Sequence, residues 1–224
     1  LLISSSIPGE GKSFIAANLG LSMALMGKRT LLIGGDMRKP RIHKAFDVSN
    51  AIGLSTFLIG KCQVEDTLFG TEHENLYVLP SGPIPPNPSE LLMGERFQKL
   101  MVNLRVEFDF IILDTPPLGL ISDPELMVKE ADLSLFVVRH NHSLKEAIRK
   151  VLGSDDFRQR FPRTVVVFNG LKQRGVGYYG YGYGLGYGYG YGNGDGPSYG
   201  SEVKRATVWK RIKRIFKMPF KKKS

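Results

Sequence analysis

Cysteine is all but missing from this chain. Cys62 is the one thiol, so no intrachain disulfide framework can form; the usage suits a reducing compartment and an idle or buried thiol. A run of about 18 apolar residues is also missing, which excludes a membrane-spanning helix from this sequence. The first residue is not methionine: the chain opens inside an apolar stretch, as a piece of a longer protein would. Excess charge is absent except at one end. Residues 201–224 hold ten bases (Lys204, Arg205, Lys210, Arg211, Lys213, Arg214, Lys217, Lys221, Lys222, Lys223) against Glu202, while the first 200 residues carry 21 basic and 20 acidic side chains. Arguments from basicity therefore concern the tail alone. With 224 residues, 42% of them hydrophobic, one sizeable core can form and a second full domain is not expected.

What the sequence does have begins at once, in LLISSSIPGEGKS. Leu1 to Ile3 read as a buried strand and Ser13 to Met26 as a helix closed by Gly27, so the residues between them form a turn. A turn holding Gly9 and Gly11 at the head of a helix leaves several backbone N–H groups unpaired and aimed at one spot, which suits phosphate. The phosphate-binding set is Ser6, Ile7, Pro8, Gly9, Glu10, Gly11, Lys12 and Ser13, with Phe14 next on the helix. Lys12 would reach the outer phosphates and the Ser13 hydroxyl would ligate magnesium. The usual pattern, G-x-x-x-x-G-K-[ST], has glycine where Ser6 stands, so support is needed from further along.

It comes from two strand tips. Lys28 to Gly34 reads as a buried strand ending at Asp36, and acids just past a strand's carboxyl end lie where open α/β sheets hold ligands. Phe108 to Leu113 is a second such strand, delivering Asp114, which can orient magnesium while the loop holds phosphates. In this order the three stretches point to a nucleoside triphosphate site, taking ATP and Mg2+. Arg38 and Lys39 could face phosphate, a protein partner or solvent. Leu76 to Leu79, Ala131 to Val138 and Thr164 to Phe168 add strands, with helices over Gly53 to Gly60, Asp123 to Glu130 and Ser143 to Phe157. A further helix opens at Pro88, after a stiff connection with five prolines between Pro80 and Leu92. Asn169, past the last strand, could read an adenine edge or form a turn. Strands alternating with helices predict an α/β fold, a mostly parallel sheet covered on both faces, ending near Leu171. The expected units are 1–174, 175–200 and 201–224.

Between 175 and 200 stand eight of the nine tyrosines (Tyr178, Tyr179, Tyr181, Tyr183, Tyr187, Tyr189, Tyr191, Tyr199) and twelve of the 26 glycines. So much glycine makes ordering costly, and the composition predicts a mobile chain. Exposed phenols on a leash beside a nucleotide site can accept phosphoryl groups; a low-complexity spacer and rings stacking on nucleic acid bases are the other readings. In the basic stretch, Val208, Ile212, Ile215 and Phe216 share one stripe at helical spacing, the pattern of a helix on an anionic membrane surface. Nucleic acid, an acidic protein or the phosphorylated tail itself are its other partners.

Taken together, SSSIPGEGKS, LLIGGDMRKP, SGPIPPNPSELL, FIILDTPP and the tyrosine-rich tail resemble the bacterial protein-tyrosine kinases that control capsule and exopolysaccharide synthesis. The resemblance implies a P-loop fold with Lys12 on phosphate, Ser13 and Asp114 directing magnesium, and Asp36 aiding the metal or drawing the proton from the incoming phenol. It implies self-phosphorylation between neighbouring subunits of a homo-oligomeric ring, at the cytoplasmic face of the plasma membrane. It also implies a membrane-spanning chain-length regulator, fused upstream or separate, with a tyrosine phosphatase and polysaccharide-pathway proteins as further partners. The Glu-x-x-Arg-x-x-Arg helix that seats subunits in this family does not occur here and would belong before Leu1. Two other functions compete. One is a septum-placement or partition ATPase, which carries a second lysine where Ile7 stands; the other is a non-enzymatic scaffold whose tail binds membrane or RNA.

Overall fold

The computed structural model describes residues 1–119, 122–161 and 163–171; the Tyr/Gly-rich and basic stretches lie outside them. Seven strands make one sheet: β1 (Leu2–Ser5), β2 (Thr30–Gly34), β3 (Phe69–Gly70), β4 (Leu76–Leu79), β5 (Phe110–Asp114), β6 (Ser134–Arg139) and β7 (Thr164–Asn169). Their order is β3-β4-β2-β5-β1-β6-β7, and every pairing is parallel except β3 with β4. The strand of the phosphate loop thus lies between β5 and β6.

Parallel strands buried on both faces read as unbroken apolar runs, because alternate side chains feed opposite cores. In β2, Leu31 and Ile33 join one core while Leu32 joins the other; Ile111 and Leu113 against Ile112 divide β5 the same way. The first core is closed by α5 (Glu95–Glu107), α6 (Asp123–Met127) and α8 (Asp155–Arg160), through residues such as Phe97, Leu100, Met127 and Phe157. The second lies under α1 (Lys12–Leu25) and α2 (Ile42–Ala45), which bring Ala16, Ala24 and Ile42. Helix α1 packs tightly there: a Cβ on Gly20 would stand 2.8 Å from Leu32 Cδ2. That close seat fixes the direction from which the helix points its amino terminus at the sheet's carboxyl edge.

The remaining helices are α3 (Leu54–Leu58), α4 (Pro88–Met93) and α7 (Lys145–Leu152). The expected mostly parallel α/β sheet is therefore present, and Gly27 closes α1, donating to the Ala24 carbonyl while Lys28 donates to that of Met23. Several elements differ. The single helix expected over Ser143 to Phe157 is two, α7 and α8, because Ser154 takes an extended backbone and its hydroxyl accepts the Phe157 N–H at 3.2 Å. A serine cap followed by Asp155 and Asp156 starts a new helix rather than continuing the old one. The helix opening at Pro88 likewise stops at Met93, and α5 starts after an extended Gly94. The two-residue antiparallel strand β3 was not expected at all; Phe69 and Gly70 are too short a signal.

Candidate nucleotide site

Beyond Ser5 the chain leaves the sheet through Ser6–Gly11 and enters α1 at Lys12. The turn needs left-handed backbone at Gly9 (φ +84°) and Gly11 (φ +101°). At Gly11 the constraint is double, since a Cβ there would also stand 2.2 Å from Asn169 Nδ2. Lys12 is buried, with its Nζ donating to Ser5 Oγ at 2.9 Å. Burial pushes the ammonium pKa down, against the opposing pull of Asp114, Asp36 and Glu10.

Sheet register brings the two acids to the loop. Asp114 is opposite Ile3 in β1 and opposite Gly34 in β2. Its Oδ2 accepts the Ser13 hydroxyl at 2.6 Å, a contact spanning 101 positions of sequence. Past β2 the chain turns so that the Gly35 and Asp36 N–H groups both donate to the Asp114 backbone carbonyl, at 2.8 and 3.0 Å. Asp36 Oδ1 in turn accepts the N–H groups of Arg38 (3.2 Å) and Lys39 (2.8 Å), which fixes the carboxylate at the tip. Lys12, Ser13, Asp36 and Asp114, predicted from separate stretches, are thus brought together.

Asp114 is 4% exposed, and its Oδ1 is a buried acceptor with no partner among the described residues. Burial pushes this carboxyl up to about 6, against the Ser13 hydrogen bond and the Lys12 charge. A buried oxygen without a donor is a standing cost, relieved by a ligand that supplies one. Hard oxygen donors from a hydroxyl and two carboxylates fit magnesium, which takes one or two carboxylates and completes its shell with water and phosphate. Among the described residues no three His, Cys, Asp or Glu side chains cluster into a cage of their own.

Other predicted residues are placed differently from one another. Glu10 turns its carboxylate inward: Oε1 accepts the hydroxyls of Ser6 (2.8 Å) and Ser143, and Oε2 accepts the Ile7 N–H at 2.9 Å. Asn169 Nδ2 donates to the Glu10 carbonyl at 2.9 Å and its Oδ1 accepts the Gly170 N–H, so its amide braces the loop. Pro8 and Phe14 are exposed, and Ile7 is half-buried. Arg38 is exposed along part of its side chain and is paired within the chain. Its guanidinium donates to Asp123 Oδ2 at 3.1 Å and to Ser89 Oγ at 3.1 Å. Three residues that sequence reasoning missed also touch the loop: Arg139 donates to the Gly9 carbonyl (2.8 Å), His142 Nε2 meets the Pro8 carbonyl (2.9 Å), and Ser143 meets Glu10. Their one signal in the sequence was position, just past the carboxyl end of an apolar strand.

A glycine-bearing loop at a helix head, with a lysine, a hydroxyl and two strand-tip acids converging beneath it, defines a P-loop nucleotide-binding protein of the α/β class. The AAA domain family model matches residues 3–152. Tyrosine-protein kinase YwqD of Bacillus subtilis (strain 168) is 40% identical over 150 residues, which are 67% of this chain and 63% of YwqD. The kinase domain of the Escherichia coli tyrosine kinase ETK superposes with a TM-score of 0.73 at 30% identity, covering 81% of this chain and 71% of that one. The cell division ATPase MinD of Pyrococcus furiosus shares the fold, with a TM-score of 0.56 at 23% identity over 73% and 68% of the two chains. The chain belongs to the family of bacterial tyrosine-protein kinases that its motifs resemble. It spans 63% of the length of YwqD.

Proposed function

We propose that this chain is a kinase domain that passes the γ-phosphoryl group of ATP to tyrosines between 178 and 199 of a neighbouring copy. The observation that carries the reading is the Ser13–Asp114 hydrogen bond, with the second Asp114 oxygen buried beside it and without a partner among the described residues. Held by Ser13, Asp36 and Asp114, magnesium would neutralise charge on the β- and γ-phosphates. Lys12, now donating to Ser5, would turn its ammonium to the outer phosphates, whose charge outweighs a neutral hydroxyl. The loop N–H groups would fix the triphosphate in line for attack. The phenol oxygen then forms the new P–O bond, the bond from the γ-phosphorus to the β,γ-bridging oxygen breaks, and ADP leaves with that electron pair. The phenol proton passes to Asp36, the exposed-side acid of the pair, or Asp36 serves the metal alone. Asn169 reads the adenine edge only if nucleotide draws its amide off the Glu10 carbonyl.

The wider setting follows the family: a homo-oligomer, arranged as a ring, at the cytoplasmic face of a bacterial plasma membrane. There it would work with a membrane-spanning chain-length regulator in capsule or exopolysaccharide synthesis, with a tyrosine phosphatase resetting the tail. No helix among the described residues is long and apolar enough to cross a membrane; the basic stretch 201–224 would supply contact with anionic lipid. Incubating the full chain with Mg·ATP and mapping phosphotyrosine by mass spectrometry tests the proposal. Modified tyrosines between 178 and 199 are expected, and Lys12→Met should lower their yield by at least about a hundredfold. ATP hydrolysis without phosphotyrosine would instead favour a positioning ATPase, although Ile7 stands where that class has its second lysine. Failure to bind ATP would leave the scaffold reading.

A further inference from the structure

A phosphate loop works only if its N–H groups are held facing inward while the site is empty, since loose peptide groups would rotate to satisfy themselves. Planarity supplies the means: in a trans peptide the C=O and N–H point opposite ways, so pinning a carbonyl outward aims the next residue's N–H inward. All described peptide bonds here are trans. Three successive carbonyls of the loop are each pinned from outside. Pro8 O is met by His142 Nε2 at 2.9 Å, Gly9 O accepts from Arg139 Nη1 at 2.8 Å, and Glu10 O accepts from Asn169 Nδ2 at 2.9 Å. The N–H groups so aimed belong to Gly9, Glu10 and Gly11, and none of them has an acceptor among the described residues. A carbonyl can only accept, so Nε2 of His142 carries the hydrogen.

We infer that Arg139, His142 and Ser143 are positioning residues of the phosphate loop: with Asn169, they lock three adjacent peptide planes so that the N–H groups of Gly9, Glu10 and Gly11 face the nucleotide phosphates. Ser143 completes the set from the side. Its hydroxyl donates to the Glu10 carboxylate and accepts the Arg139 N–H at 2.7 Å. Glu10 in turn fixes Ser6 and Ile7, the front half of the loop. Gly9 is where this brace would be broken by crowding, since a Cβ there would stand 2.9 Å from His142 Nε2. The brace reaches from β6 and the turn before α7 to residues some 130 positions earlier, so a shift of α7 changes the phosphate site without touching Lys12, Ser13 or either acid.

This inference rests on the nucleotide reading of the site, and titration calorimetry of the full chain with Mg·ATP tests it without requiring phosphoryl transfer. Arg139→Ala and His142→Ala should each raise Kd by about tenfold, the scale of one aligned hydrogen bond lost. Arg139→Lys and His142→Gln, which keep a donor within reach, should stay within about threefold of the parent chain on the same scale. Thermal unfolding run beside each titration separates loop geometry from general instability; if an alanine variant does not fold, Arg139→Met or His142→Leu, with the volume kept and the donor removed, takes its place. The inference is overturned if the donor-free variants bind Mg·ATP as the parent does, or if the donor-keeping variants lose as much as the donor-free ones. A parent chain that binds Mg·ATP but never modifies tyrosine would end the kinase reading and leave this one intact.

Discussion

A carboxyl with one oxygen hydrogen-bonded and the other buried without a donor among the described residues makes Asp114 the residue on which the site's chemistry and stability meet. Its folded-state pKa of about 6 lies above the ordinary 3.8. The folded chain therefore holds a proton that the unfolded chain has released between about pH 4 and 6, and stability from this group falls as pH rises through that window. Above it, without nucleotide, the burial cost stands in full, of order 3 kcal/mol. Asp114→Asn should accordingly be the more stable protein in urea denaturation at pH 7.5, with the difference closing towards pH 4. The same variant should lose magnesium-dependent ATP binding. Asp114 and Asp36 could be found in the sequence because an acid ending an apolar strand has few structural excuses. Arg139, His142 and Ser143 had only their position to mark them, since a base ending a strand and a histidine and a serine just past it are ordinary, and only the fold brings them to residues 8–10.

Among the elements, the turn after β2 is latched to two helices by one small network. Asp123, the first residue of α6, is 1% exposed and accepts from Arg38 at 3.1 Å and from Ser89 of α4 at 2.6 Å. That latch holds the stretch carrying Asp36 in register with β5. Asp123→Ala should cost about 2 kcal/mol in urea denaturation, less than a fully buried ion pair because Arg38 is partly in water. Gly11→Ala, at the hinge between loop and helix, should combine backbone strain with the collision at Asn169 and abolish ATP binding in the same calorimetric assay. The alternation of strands and helices was readable because the parallel strands carry consecutive apolar residues and the helices between them carry a wet face. Boundaries inside polar stretches were not: the Gly153-Ser154 break is invisible to hydrophobic period, and only the capping chemistry of Ser154 reveals it.

For the whole molecule, charge is the variable to follow. Eight phosphotyrosines would bring roughly 12 to 16 negative charges beside a segment of net +9. The unmodified chain should sediment with anionic vesicles, a chain ending at Gly200 should do so far less, and the fully phosphorylated protein should resemble the shortened one. Equal binding by all three would remove the membrane role from residues 201–224.

The order of strands in the sheet carries a consequence for how the protein comes into being. Leu2 pairs with Leu113 and with Ser134, and the loop that follows it is braced from Asn169. The nucleotide loop thus leaves the ribosome well ahead of its neighbours, which are synthesised more than a hundred residues later. Folding must wait for these distant pairings, a topology associated with slow collapse and with exposed intermediates. A nascent chain halted at Arg160 would hold Lys12, Ser13, Asp36 and Asp114 and still lack a working site.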